Sequence, residues 1–205
     1  SGLRGNVHLD TTRQYIVETI IDSSPDRNYV IIGEPGVGKT VLLFEVFDQL
    51  MARGPTGLLT TAAISDIHQR FDMRLFYDDI PENKALIQAI MERGTGGLIL
   101  TSREVDWKGL PTEFQGMFDR LTVPLFSEAE MRPLCEKMLA FSGVSYNGPA
   151  VEALVSYAEG SPIYVWSMIR ELLHKGRRRL SQEYIQENAT QGMTTYVSLL
   201  LQRLL

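Results

Sequence analysis

The hydrophobic positions change their period once along this chain, and the change divides it. In the first part, short apolar runs alternate with amphipathic stretches. Tyr29-Val30-Ile31-Ile32 is a β-branched run that reads as a buried strand. Similar runs predict strands over 57–61, 73–77, 97–101 and 120–125. Apolar residues at helical spacing predict helices over 11–21, 41–50, 65–71 and 83–93. Strands that alternate with helices imply an α/β fold: a central, mostly parallel five-stranded sheet sandwiched between helices. After Ser127 the strand signals fade. Ser127 and Glu130 have the spacing of a capping box, a helix start. Helices are predicted from there over 128–141, 148–159, 162–175, 181–188 and 194–204. The expected organisation is an α/β core over 1–126 and a small all-helical subdomain over 127–205.

Between the first strand and the helix after it stands Gly33-Glu34-Pro35-Gly36-Val37-Gly38-Lys39-Thr40. This is G-x-x-x-x-G-K-T, the nucleotide-phosphate loop, in the strand–loop–helix context the motif needs. The glycines let successive backbone N–H groups turn inward around phosphate oxygens. The helix N-terminus adds partial positive charge. Lys39 can reach the terminal phosphates and the Thr40 hydroxyl can ligate Mg²⁺. The expected cofactor-binding set runs from Gly33 through Val41. The competing reading is a glycine-rich turn without a ligand, which leaves the lysine and threonine unexplained.

Other chemistry is expected at strand ends. Asp78-Asp79 follows an apolar strand. Asp78 is read as the acid that holds Mg²⁺ and Asp79 as the catalytic residue that polarises the attacking water, with Glu34 and Glu82 as substitutes. Asp79 could instead cap a helix. Thr101-Ser102-Arg103 closes the fourth strand, where a hydroxyl such as that of Ser102 and the Arg103 guanidinium can contact a γ-phosphate. Arg120 opens the fifth strand and can serve as an arginine finger toward a neighbouring subunit; the plainer reading is an ion pair with Asp119 or Glu113. Gly160-Ser161-Pro162 opens a helix whose start can approach the nucleotide, which adds Pro162 to the binding set.

Composition narrows the class. The chain has 205 residues, 44% hydrophobic and 22% charged, ordinary for a soluble globular protein. No apolar run approaches bilayer length, and no signal peptide is visible at the start, so no membrane role is expected. The one cysteine, Cys135, suits a reducing cytoplasm and is expected to be a buried, inert thiol. Histidines are scattered, with no metal-binding cluster. Net charge is −5, against a generally basic nucleic-acid surface. The densest basic run, Lys175-Gly176-Arg177-Arg178-Arg179, reads first as a helix C-terminus. No aromatic residues interleave with its arginines, so a DNA role is the weaker expectation.

The loop at 33–40, the acid pair at 78–79, Thr-Ser-Arg at 101–103 and Gly-Ser-Pro at 160–162 stand in the order seen in AAA+ and STAND-type P-loop ATPases, which the chain resembles over nearly its whole length. Residues 98–103 resemble the strand of the STAND and archaeal-type ATPases that ends in a γ-phosphate-sensing arginine, and 158–164 resemble their lid motif. Phe118-Asp119-Arg120 is similar to the AAA+ segment that carries the finger. The resemblance implies a P-loop NTPase core with a helical lid, adenine preference, ATP/ADP and Mg²⁺ as ligands, and a homo-oligomer or protein partner. It departs from the family where Ile163 and Tyr164 stand in place of the usual lid arginine, with Arg170 a distant substitute, and in the short interval from Lys39 to Asp78. Three functions follow: an ATP hydrolase that couples turnover to lid movement, a slow or non-hydrolysing nucleotide switch, and a DNA-handling loader or initiator.

Overall fold

The computed structural model describes residues 11–54, 56–58, 74–79, 84–93 and 96–189. The elements predicted over 59–61, 65–71 and 194–204, and the substitute base Glu82, lie outside the described residues. Five strands form one sheet: β1 (Tyr29–Ile32), β2 (Thr56–Leu58), β3 (Arg74–Tyr77), β4 (Leu98–Ser102) and β5 (Asp119–Thr122). Their spatial order is β2-β3-β4-β1-β5, and every pairing is parallel. The helices of this part are α1 (Thr11–Ile21), α2 (Lys39–Met51), α3 (Lys84–Arg93), α4 (Glu104–Lys108) and α5 (Thr112–Gln115).

Both faces of the sheet are covered, which is why β1, β3 and β4 are buried along their whole length. Alternate strand residues point to opposite faces. Val30, Ile32, Leu75, Leu98 and Leu100 meet Ile87 and Ile90 of α3, Trp107 of α4 and Phe114 of α5. On the other face, Phe76 meets Phe47 of α2 edge to face at 5.1 Å. The α1–α2 side is sealed by Arg74, only 9% exposed, which donates to the carbonyls of Ile20 (3.0 Å) and Ser23 (2.9 Å). Those carbonyls lie at the C-terminal end of α1, where unpaired acceptors need a partner.

Among the described residues, the compact unit that contains the sheet lies within 11–34 and 38–124, and residues 35–37 group with 125–189 in a second unit. That unit is helical: α6 (Glu128–Phe141), α7 (Gly148–Ala158), α8 (Pro162–His174) and α9 over 182–189. The Ser127–Glu130 capping box forms, and the Asn147 side chain accepts from the Ala150 N–H to start α7. The core collects Met131, Leu139, Leu154, Val165, Ile169, Leu172 and Ile185. Cys135 lies inside it, and burial pushes its thiol up to about 12, so it is protonated at neutral pH. Gly160 turns the chain from α7 into α8 at φ 78°, and a Cβ there would lie 2.4 Å from the Phe126 carbonyl oxygen.

Candidate functional site

In a parallel sheet the loops that follow the strands gather at one edge, where such folds bind ligands. The order β3-β4-β1 brings the ends of these strands side by side. β1 runs into the glycine loop. Gly36 and Gly38 take φ of 82° and 95°, values that suit glycine because a Cβ is strained there. Gly38 is the N-cap of α2, so Lys39 and Thr40 form the first turn of that helix. As a glycine, Gly38 has no side chain to cap the helix N–H groups, which leaves the positive end of the helix for an anion.

Lys39 bends back over the loop, and its Nζ donates to the carbonyls of Gly33 (2.9 Å) and Glu34 (3.0 Å). Burial pulls its ammonium below the ordinary lysine value; Asp79, Asp78 and Glu34 oppose that shift and Arg103 adds to it. The lysine is therefore a desolvated cation at the mouth of the loop, where phosphate would satisfy it well.

The carboxylate of Asp78 is gripped from both sides. Thr40 Oγ1 donates to one oxygen at 2.9 Å and Thr101 Oγ1 to the other at 2.6 Å. The same Thr101 oxygen accepts the backbone N–H of Asp79 at 2.6 Å. Register explains this: Tyr77 pairs with Leu100, so the next residues, Asp78 and Thr101, meet at the strand ends. Thr101 is fully buried and ties the ends of β3 and β4 together, while Asp78 makes the link to Thr40 at the start of α2. Asp79 itself turns at φ 54°, a left-handed conformation that aspartate tolerates better than most residues. Its side chain is exposed, and α3 is described only from Lys84, five positions on.

The hydroxyl of Ser102, also fully buried, donates to the Arg103 carbonyl at 3.1 Å, while Gly33 N–H reaches the Ser102 carbonyl at 3.4 Å. Arg103 occupies the N-cap position of α4 and grips Asp106 with two nitrogens. Arg120 pairs with Glu104. The partners suggested by sequence, Asp119 and Glu113, are not the ones it takes: Asp119 pairs with Arg27 at 2.7 Å. Adjacent strand residues point to opposite faces, so Asp119 and Arg120 face different neighbours. Glu34 and Val41 are exposed, whereas Val37 is buried.

In the helical unit, Pro162 is the first residue of α8. The next residue, Ile163, lies against Gly36: a Cβ at Gly36 would come within 2.6 Å of Ile163 Cγ2. The tip of the glycine loop thus packs as part of the helical unit.

The structure therefore brings together Gly33, Lys39, Thr40, Asp78 and Asp79, joined by Thr101. Arg103 and Arg120 are held by carboxylates of α4. Thr101 is the member that sequence reasoning passed over in favour of Ser102. The signal that finds it is the strand register, which no local pattern carries. Asp78 and Thr40 present hard oxygen donors of the kind Mg²⁺ takes. Among the described residues no group of three or more His, Cys, Asp or Glu could cage a metal.

No protein-family model and no curated protein matches the chain. Solved structures do. Thermotoga maritima RuvB, described as a Holliday junction branch migration motor, matches with TM-score 0.59 and 13% identity over 89% of this chain and 68% of its own. Domain III of the Thermotoga maritima replication initiation protein DnaA matches with TM-score 0.63 and 12% identity, over 87% and 91%. Hsp104, reconstructed in a closed state with ATPγS and FITC-casein, matches with TM-score 0.61 and 14% identity, over 87% and 42%. At these identities the likeness is one of fold. The chain shares with them an α/β fold with a parallel sheet and helices. Among the described residues no helix is long and apolar enough to cross a membrane.

Proposed function

We propose that this chain binds ATP with Mg²⁺ at the glycine loop, hydrolyses it, and couples the nucleotide state to its helical unit. The observation that carries the reading is the Thr40–Asp78–Thr101 network beside a desolvated Lys39. Thr40 and Asp78 would hold Mg²⁺, which when bound neutralises charge on the β- and γ-phosphates. Lys39 would leave the Gly33 and Glu34 carbonyls for phosphate oxygens. Asp79, exposed beside Asp78 and anchored through its N–H, is the group to orient and polarise the attacking water. Arg103 and Arg120 would supply positive charge toward the transition state. Coupling is supported by the packing of Gly36 on Ile163, since phosphates seated in the loop would bear on the start of α8. The AAA+ neighbours, among them a motor and a replication initiator, favour an oligomer or a macromolecular partner for this chain too.

A second reading, a slow nucleotide switch of the STAND kind, is favoured by one observation: both arginines are neutralised by acids of the same chain, Arg103 by Asp106 and Arg120 by Glu104. Hydrolysis would then wait for a partner to release them.

The test is ATP turnover with Mg²⁺ over a range of protein concentrations, for the wild type and Asp79→Asn. Asparagine tolerates the same left-handed backbone, so the variant removes charge and spares the turn. Expected is a loss of turnover of about a hundredfold or more with ATP binding retained. Tight ATP binding with negligible turnover in both proteins would leave the switch, and no ATP binding would end both readings.

A further inference from the structure

The basic run after α8 is not a bare charge cluster once folded. Residues 174–180 lie alongside the α6–α7 loop through a parallel bridge between Ser145 and Arg179. The Ser145 N–H donates to the Arg178 carbonyl at 2.9 Å, and the Leu180 N–H to the Ser145 carbonyl at 2.9 Å. Arg178 Nη1 comes within 3.9 Å of where a Gly143 Cβ would stand. The end of α6 and the loop so docked carry two aromatic rings in water: Phe141, the last residue of α6, 86% exposed, and Tyr146, in the loop, 40% exposed. Lys137 stands exposed on α6 one turn before Phe141. Arg177 is committed to the face of Tyr184, 5.3 Å from its centroid, and Lys175 is bound to Glu171 and Asn188. Among the described residues neither Arg178 nor Arg179 takes part in an ion pair.

The local charge runs against the whole. The chain carries −5, yet the two segments, 137–147 and 174–180, contain five Lys or Arg and no acid. The aromatics missing from the arginine run in sequence are supplied by the end of α6 and the loop after it, more than thirty positions away. An exposed phenylalanine at the rim of a cationic strip gives an acidic peptide nothing it needs. It gives an unpaired base a face to stack on, while arginines beside it meet the phosphates.

We propose that this face of the helical unit binds single-stranded nucleic acid, with Arg178 and Arg179 on the backbone and Phe141 and Tyr146 as stacking platforms. The proposal does not depend on the nucleotide site, and its residues lie apart in sequence from the glycine loop.

The test is fluorescence anisotropy of the 205-residue chain, without nucleotide, against a labelled twenty-nucleotide oligo(dT), an oligo(U) of the same length, a duplex of the same length, and poly-glutamate as competitor. Both single strands are expected to bind at low salt, more tightly than the duplex. Two phosphate contacts predict a log–log salt slope of roughly −1.4. Arg178→Ala with Arg179→Ala should remove most of that slope and weaken binding on the order of tenfold. Phe141→Ala, at a largely exposed site, should weaken single-strand binding about fivefold or more and leave the slope unchanged. No binding of either single strand overturns the proposal. So does equal binding of the duplex with Phe141→Ala silent, or displacement by poly-glutamate as effective as by unlabelled oligo(dT), which would mark an acidic protein partner.

Discussion

Thr101 shows how one side chain can hold a site together. Its hydroxyl donates to Asp78 and accepts the Asp79 N–H, so it fixes both acids at once. Valine has nearly the same shape and no hydroxyl. Thr101→Val is therefore expected to destabilise the fold by about 1–3 kcal/mol, since a part-buried carboxylate oxygen and a backbone N–H lose their partner. Mg²⁺-dependent affinity for a non-hydrolysable ATP analogue should fall by about tenfold, whereas Thr101→Ser should restore both. Urea unfolding and titration of the analogue with and without Mg²⁺ would check this; equal affinities for all three proteins would reduce Thr101 to a packing residue. The glycine loop, Lys39 and Thr40 were legible from sequence because the spacing of one motif holds them, and Asp78 because it follows an apolar strand. Thr101 was not, because Thr101-Ser102 offers two hydroxyls in a row and only the β3–β4 register selects one. The ion-pair partners suggested for Arg120, Asp119 and Glu113, differ from the one it takes for the same reason: Glu104 comes from α4, a tertiary neighbour rather than a sequence one.

Elements were legible in proportion to their length and burial. The buried strands β1, β3 and β4 begin and end within one residue of the expected positions, because their apolar runs have no other use. β5 stops at Thr122, short of the expected 125: Pro124 has no N–H to continue a ladder. α4 and α5, five and four residues long, are too short for a helical period to register. Turns between helices were the clearest punctuation, and they differ in what they tolerate. Gly160 and Gly143 both have positive φ, 78° and 65°. A Cβ at Gly160 would also strike the Phe126 carbonyl oxygen at 2.4 Å, whereas at Gly143 the nearest atom is the far end of Arg178 at 3.9 Å. Gly143→Ala should therefore cost about 1–2 kcal/mol, the left-handed penalty alone. Gly160→Ala should cost clearly more, since it must also displace the backbone that joins α6 to the α7–α8 turn. Chemical denaturation of both variants separates the contributions; equal losses would mean that the Phe126 segment yields freely.

At the scale of the whole molecule, the question is what keeps a complete-looking site from running unchecked. On the reading proposed above, Arg120 acts on the nucleotide of a neighbouring copy, and within its own chain Glu104 holds it. Glu104 is shared: it also meets Lys108 at 3.1 Å, so the acid keeps a partner when Arg120 leaves. The Arg120 side chain is 45% exposed, and an ion pair in that setting is worth at most about 1 kcal/mol. Such a pair cannot lock the arginine, but it can set the protein concentration at which assembly wins. About 1 kcal/mol corresponds to roughly a fivefold change in an equilibrium constant. Glu104→Gln is accordingly expected to lower the protein concentration for half-maximal ATP turnover by up to about fivefold, with the plateau rate unchanged. Arg120→Ala should flatten the concentration dependence and leave ATP binding intact. If Glu104→Gln leaves the curve in place while Arg120→Ala flattens it, the arginine acts between copies but is not restrained beforehand. Turnover that ignores concentration in all three proteins would assign Arg120 to the fold and return catalysis to the single chain.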